Sequence, residues 1–136
     1  MSQRVIYPLE LRNGMLFLRV SLGDGKNAPV IARLLIDTGS SYTVLSTRIL
    51  QDADCDIRNV KGASVSITAA GGVVQGIPVT VPRFCLLGQT IENCRVVGFN
   101  LPSTSNIDGL LGINLLRNCG ATIDTVKAEI IIQVKS

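Results

Sequence analysis

"LLIDTGSSYTVLS", residues 34–46, places one acid, Asp37, directly after an apolar run and directly before Thr38-Gly39-Ser40-Ser41. An ionised carboxylate beside a buried strand is costly unless it is hydrogen-bonded or shares a proton. The residues that follow can meet part of that cost. Gly39 lets the backbone approach closely and turn its N–H toward the carboxylate. Ser40 offers a hydroxyl to the outer oxygen. Two readings of the hexapeptide stay open here: an Asx-type turn ending an edge strand, or an acid kept for chemistry.

The rest of the chain narrows that chemistry. None of its 136 residues is a histidine. Ser-His-Asp and Cys-His machinery are therefore excluded, as are HExxH metalloproteases. Proton transfers would fall to carboxylates, lysine, hydroxyls or a bound cofactor. The four cysteines, Cys55, Cys85, Cys94 and Cys119, form no CxxC pair, and their spacing does not resemble a zinc site. They read as free, mostly buried thiols, with Cys85 and Cys94 as the pair able to face each other across a hairpin.

Composition points to one globular domain over 1–136, with 46% hydrophobic and 17% charged residues. Net charge is +3, but the 13 Lys and Arg are scattered and aromatic residues are few. No nucleic-acid surface is indicated. No apolar run reaches the roughly 20 residues needed to cross a bilayer. The opening "MSQRVIYPLE" has no signal-peptide h-region. A cytoplasmic location is expected, either for this stretch alone or as a domain of a longer precursor or anchored protein.

Short apolar or alternating segments recur between Gly, Pro, Asn and Asp. Strands are expected at 15–22 and 29–39, the second running into a loop, joined by a turn at 23–27. Hairpins are expected at 65–82, with a tip at Ala70-Gly71-Gly72, and at 83–99, turning near Gly88-Gln89. Two strands close the chain over 121–134. Helices are expected only at 46–53, where Ser46 is a possible N-cap, and at 113–120, where Gly120 stands at the C-cap position. Many short strands at this spacing argue an all-β barrel or sandwich.

Two weaker motifs fall away. "GDGK" (23–26) lacks the longer glycine frame and Ser/Thr of a phosphate loop. "DADCD" (52–56) has alternating acids, but Ile57 and Ala63 stand where a calcium loop needs Gly and Glu. Both read as turns. A second element supports Asp37 instead. "NIDGLLGINLL" (106–116) gives an apolar pair, Leu110-Leu111, then Gly112, then a short helical run.

On these pieces the chain resembles the retropepsin-like aspartic proteases, the single-lobe, homodimeric relatives of pepsin. They are Asp37-Thr38-Gly39 after Leu35-Ile36, a glycine-rich hairpin tip at Ala69, Ala70, Gly71 and Gly72, and Leu110-Leu111-Gly112 before the helix. The fit runs over roughly 12–134. The resemblance implies a closed all-β acid-protease lobe with a flap hairpin and a short helix near 113–118, completed as a C2 homodimer. It implies an aspartic endopeptidase needing no metal or cofactor. Asp37 of each copy would be catalytic, and Thr38, Gly39 and Ser40 would support the dyad. Residues 69–72 would form a flap over an extended peptide or protein substrate. Ile36, Val44, Val74, Ile77, Leu101 and Ile107 are candidate pocket residues. Ser40-Ser41 departs from viral members, where Ala commonly follows the triplet, and the flap lacks the aromatic of pepsin. The apolar strand "EIIIQV" (129–134) should not stay an open edge, so it pairs within the lobe or with the partner. The alternative on the same fold is a non-catalytic dimerisation or peptide-binding module.

Overall fold

Turn chemistry sets out the first strands. In the computed structural model, which describes residues 2–58, 64–69, 72–101 and 106–135, Asn13 and Gly14 both take positive φ (51° and 74°). That mirror-image turn suits a two-residue hairpin. It joins β2 (Glu10–Arg12) to β3 (Met15–Gly23), while β1 (Ser2–Pro8) precedes them. The next turn forms where expected. The Asp24 carboxylate accepts the Asn27 and Lys26 N–H groups, each at 2.8 Å, and these bonds hold its pKa below the usual carboxylate range. The chain then returns as β4 (Val30–Ile36).

Both helices form. After β5 (Val44–Ser46), α1 spans Thr47–Asp52, and the Ser46 hydroxyl caps it by accepting the Ile49 N–H at 3.1 Å. The helix sinks Ile49 and Leu50 into the core. Full burial of a leucine such as Leu50 contributes roughly 1.5–3 kcal/mol. Later, α2 (Ile113–Cys119) ends at Gly120 in the left-handed conformation (φ 64°).

The middle of the chain differs from its expected division. β6 (Val65–Ala69) pairs with β7 (Gly72–Leu86), and β7 does not stop at Pro82. It runs on to Leu86, turns through Leu87 and Gly88 (φ 50° and 73°), and returns as β8 (Gln89–Phe99). The register passes from Val81↔Cys94 to Arg83↔Glu92, with Asn93 at φ 53° beside the gap. A proline fits a strand where its missing N–H is not needed by the ladder. The same register separates the two cysteines expected to face each other: Cys85 lies opposite Thr90, and Cys94 opposite Val81. All four thiols are free. Burial raises the pKa of Cys55, Cys94 and Cys119, that of Cys94 to about 11.

After β9 (Gly109–Leu111) and α2, the chain closes with β10 (Thr122–Asp124) and β11 (Glu129–Lys135). Six strands, in the order β3-β4-β9-β5-β8-β7, close into a barrel through β3–β7 pairing. Leu34, Leu45, Leu50 and Leu111 fill it, all fully buried. A separate sheet has the order β1-β11-β10. β11 is therefore paired on both sides by its own chain, β1 along its whole length and β10 over Glu129–Ile131. Among the described residues no helix is long and apolar enough to cross a membrane.

Candidate active site

Parallel pairing brings the two sequence motifs together. Leu34↔Gly109, Leu35↔Leu110 and Ile36↔Leu111 put β9 beside the strand that ends at Asp37. The ladder continues one step: the Asp37 N–H donates to the Leu111 carbonyl at 3.0 Å. The chain then turns tightly, with Ser40 N–H on the Asp37 carbonyl at 3.2 Å. The Gly39 N–H donates to Asp37 Oδ1 at 3.1 Å. A β-carbon on Gly39 would lie 3.4 Å from that oxygen, an ordinary contact, so one lobe alone has room for a side chain there.

Ser40 acts differently from expectation. Its hydroxyl donates to the Tyr42 carbonyl at 2.7 Å rather than to the carboxylate, because the turn buries the side chain beneath the loop. Its carbonyl accepts the Ile113 N–H at 2.8 Å. Thr38, at the tip, is exposed, and its hydroxyl has no partner among the described residues.

The loop rests on two residues that sequence reasoning missed, Thr43 and Asn114, and on Gly112, which it had singled out. Thr43 is fully buried; its Oγ1 accepts the Gly112 N–H at 3.1 Å and donates to Asn114 Oδ1 at 3.0 Å. One hydroxyl thus ties the Asp37 loop to the start of α2. Within "SYTVLS" nothing separates this threonine from an ordinary strand former. Gly112 is required by space: a β-carbon there would collide with the Tyr42 carbonyl and crowd that of Ser40.

The other acid of the second motif is committed elsewhere. Asp108 Oδ2 accepts the Arg33 N–H at 2.9 Å, and Oδ1 lies 3.7 Å from Arg48 Nη2. Beside Asp37 and Thr38 lies an open hollow of about 550 Å³, walled by Met15, Leu16, Ile36 and Ile123. Of the expected pocket residues, Ile36 is therefore at the acid. Val44 is buried against Val97, and Ile77 packs on the main core. Leu101 and Ile107 are half-buried. Ala69 and Gly72 pair across the β6–β7 hairpin; its tip residues Ala70 and Gly71, and the Val74 side chain, lie outside the described residues.

A sequence model of the aspartyl protease family matches residues 18–115, a span that holds both motifs and the hairpin between them. The chain belongs to the aspartyl protease family. It is an aspartic endopeptidase by class, with the retropepsin-like fold. A retropepsin-like aspartic protease from Rickettsia conorii superposes with a TM-score of 0.65 at 19% identity, covering 100% of this chain and 94% of that one. The EIAV protease, solved with the inhibitor HBY-793, gives 0.59 at 22% identity over 79% of this chain and 90% of its own. The retroviral protease-like domain of Ddi1 from Leishmania major gives 0.52 at 16% identity, covering 81% of each. No curated protein sequence matches the chain.

Proposed function

We propose that residues 1–136 act as one protease domain that cuts peptide bonds as a C2 homodimer, with Asp37 of each copy forming the catalytic pair. The observation that carries this reading is the state of the Asp37 loop. Among the described residues its carboxylate receives one hydrogen bond, and the adjoining Thr38 hydroxyl has no partner. A residue near a two-fold axis meets its own image. The second copy would supply the second carboxylate, and Thr38 would bond across the axis. The room around Gly39 in a single lobe would be taken up by the partner loop.

Aspartic proteases are the standard case of two carboxylates sharing one proton. In the proposed step the ionised carboxylate takes a proton from a water whose oxygen attacks the peptide carbonyl carbon. The protonated carboxyl donates to the carbonyl oxygen. The tetrahedral adduct then collapses, breaking the C–N bond as the amine takes up a proton. Neither metal nor cofactor is required. The substrate would lie extended, hydrogen-bonded as an added strand beneath a flap at 69–72. Activity should fall as pH rises, when the shared proton is lost, and again in strong acid, when both carboxyls are protonated.

Specific activity measured against enzyme concentration, with sedimentation alongside, tests the reading. It should drop steeply below the dimer dissociation constant. A monomer with full specific activity at every dilution would overturn the shared site. A stable dimer that cleaves no peptide would favour a peptide-binding module on this fold.

A further inference from the structure

The barrel wall opens at Arg19. On one side β3 pairs with β4, and Arg19 lies opposite Arg33. On the other side β2 reaches only as far as Phe17, and β7 takes over at Ser21. Residues directly opposite in an antiparallel ladder exchange both backbone bonds or neither. The Arg33 N–H and carbonyl are turned to Asp108, so Arg19 also turns its own away from β4 and into the gap. Neither neighbouring strand fills it. Continued in register, β2 would offer Pro8, which has no N–H, and β7 would offer Leu87, whose φ of 50° has already turned the chain aside.

A hollow of about 580 Å³ lies over the gap, within the roughly 300–1,000 Å³ usual for small-molecule sites. Its floor is aliphatic: Leu18, Val20 and Leu86 are core residues reached through the opening. Its rim is polar, with one cation, Arg19, and no acid. The side chains of Arg19, Tyr7 and Ser21 have no hydrogen bond or ion pair among the described residues. Arg12, Arg33, Arg48 and Arg58, by contrast, each face a carboxylate. The Tyr7 hydroxyl is set against the β7–β8 turn, where a β-carbon on Gly88 would collide with it. A smaller hollow of about 440 Å³ adjoins, sharing Tyr7, Leu18 and Arg19; its acid, Glu10, is already held by Arg12 and Arg33. Neither hollow shares a wall residue with the one beside Asp37.

We propose that the hollow at Arg19 is a second ligand site, taking a free carboxylate carried on a short unbranched aliphatic chain. The carboxylate accepts the Arg19 N–H and meets the charge of its guanidinium, with the Tyr7 and Ser21 hydroxyls as further donors. One cation among uncharged donors matches a single negative charge. The aliphatic chain covers Leu18, Val20 and Leu86 and removes apolar surface from water. Inorganic phosphate would meet the same charge but leave that floor uncovered. The site stands independently of the peptidase reading.

Octanoate is the probe, titrated into the intact protein and followed by amide NMR shifts and by the rate of Cys85 alkylation with iodoacetamide. Cys85 stands in the wall of this hollow, and the other three thiols are buried. Octanoate should shift the amides of Arg19, Ser21 and Gly88 and slow Cys85 alkylation at least about threefold at saturation. Octanamide and inorganic phosphate should each bind at least about tenfold more weakly. Arg19→Gln should raise the octanoate Kd about tenfold, and Ile31→Asp, on the exposed wall, should raise it about as much through like-charge repulsion. Equal binding of octanamide, or an unchanged Kd in Arg19→Gln, would overturn the carboxylate assignment. An unchanged Kd in Ile31→Asp, or shifts confined to Ile36, Asp37, Thr38 and Ile123, would overturn the location. The absence of any saturable shift would overturn the site itself.

Discussion

Asp37 and Asp108 both follow apolar residues and stand just ahead of a glycine, but the chain treats them in opposite ways. Asp108 is tied to its own lobe through side chain and backbone together. Its carboxylate takes the Arg33 N–H and faces Arg48, its N–H bonds back to Arg33, and its carbonyl accepts the Ser46 N–H at 2.9 Å. Asp37 is pinned by its backbone, while its carboxylate keeps one partner among the described residues, the Gly39 N–H. Fixing the main chain and sparing the side chain is what preorganised chemistry requires, because a carboxylate already fully hydrogen-bonded has little capacity left for water or substrate. On the proposed function, the two acids separate a structural use of aspartate from a chemical one.

The same isosteric change at both positions should break or sustain that contrast most sharply. Asp37→Asn is expected to lower kcat by about a thousandfold or more while leaving thermal unfolding and dimerisation near wild type. Asp108→Asn keeps an oxygen for the Arg33 N–H and loses mainly the exposed approach of Arg48. It should retain activity within about tenfold and cost about 1 kcal/mol or less. Peptide cleavage and denaturant unfolding on both variants decide. Comparable losses of activity at the two sites would erase the distinction.

The pinned backbone can be attacked next. Gly112→Ala forces a β-carbon into the Tyr42 carbonyl, and we expect a loss of about 1–3 kcal/mol by chemical denaturation. Thr43→Val leaves the Gly112 N–H and the Asn114 side chain without their shared hydroxyl in a buried place. It should cost about 1–3 kcal/mol and lower activity in proportion to the loosened loop. Unchanged stability in either variant would mean that the Asp37 loop is held by something other than this crosspiece.

The smallest effect lies away from both acids. The raised pKa of Cys94 means that its thiol stays protonated in the folded chain after it ionises in the unfolded one. The unfolded state then binds fewer protons, so this site's contribution falls as pH rises from about 9 to about 11. Cys94→Ala should flatten that alkaline decline while lowering stability at neutral pH through the lost packing. An identical alkaline slope in the variant would assign the decline to other groups.

Much of the architecture was legible before any coordinates. Positive-φ turn residues and caps act over a few neighbours, so the 23–27 turn, the α1 cap at Ser46 and the α2 stop at Gly120 followed from local chemistry. β5, β9 and β10 are three residues each, too short to show a period, and of these only β10 fell inside an expected strand region. The first hairpin carries its own local signal, Asn13-Gly14, both at positive φ. β7 was divided at Pro82 because a proline's effect depends on whether the facing strand needs its N–H, which only the pairing reveals.

The sequence by itself determined the class of chemistry. A chain without histidine excludes His-based catalysis, and Asp37-Thr38-Gly39 after an apolar run with Leu110-Leu111-Gly112 before a helix carries the resemblance to the aspartic proteases. Only the tertiary structure decided how each side chain is used. It turned the Ser40 hydroxyl to Tyr42 and made Thr43 the crosspiece to Gly112 and Asn114. It also committed Asp108 to Arg33, and it paired β11 on both sides within its own chain. The physical reason is one of range. Turns and caps are satisfied by residues a few positions away, whereas these bonds join segments far apart in the chain, and barrel closure and strand register set which of them meet.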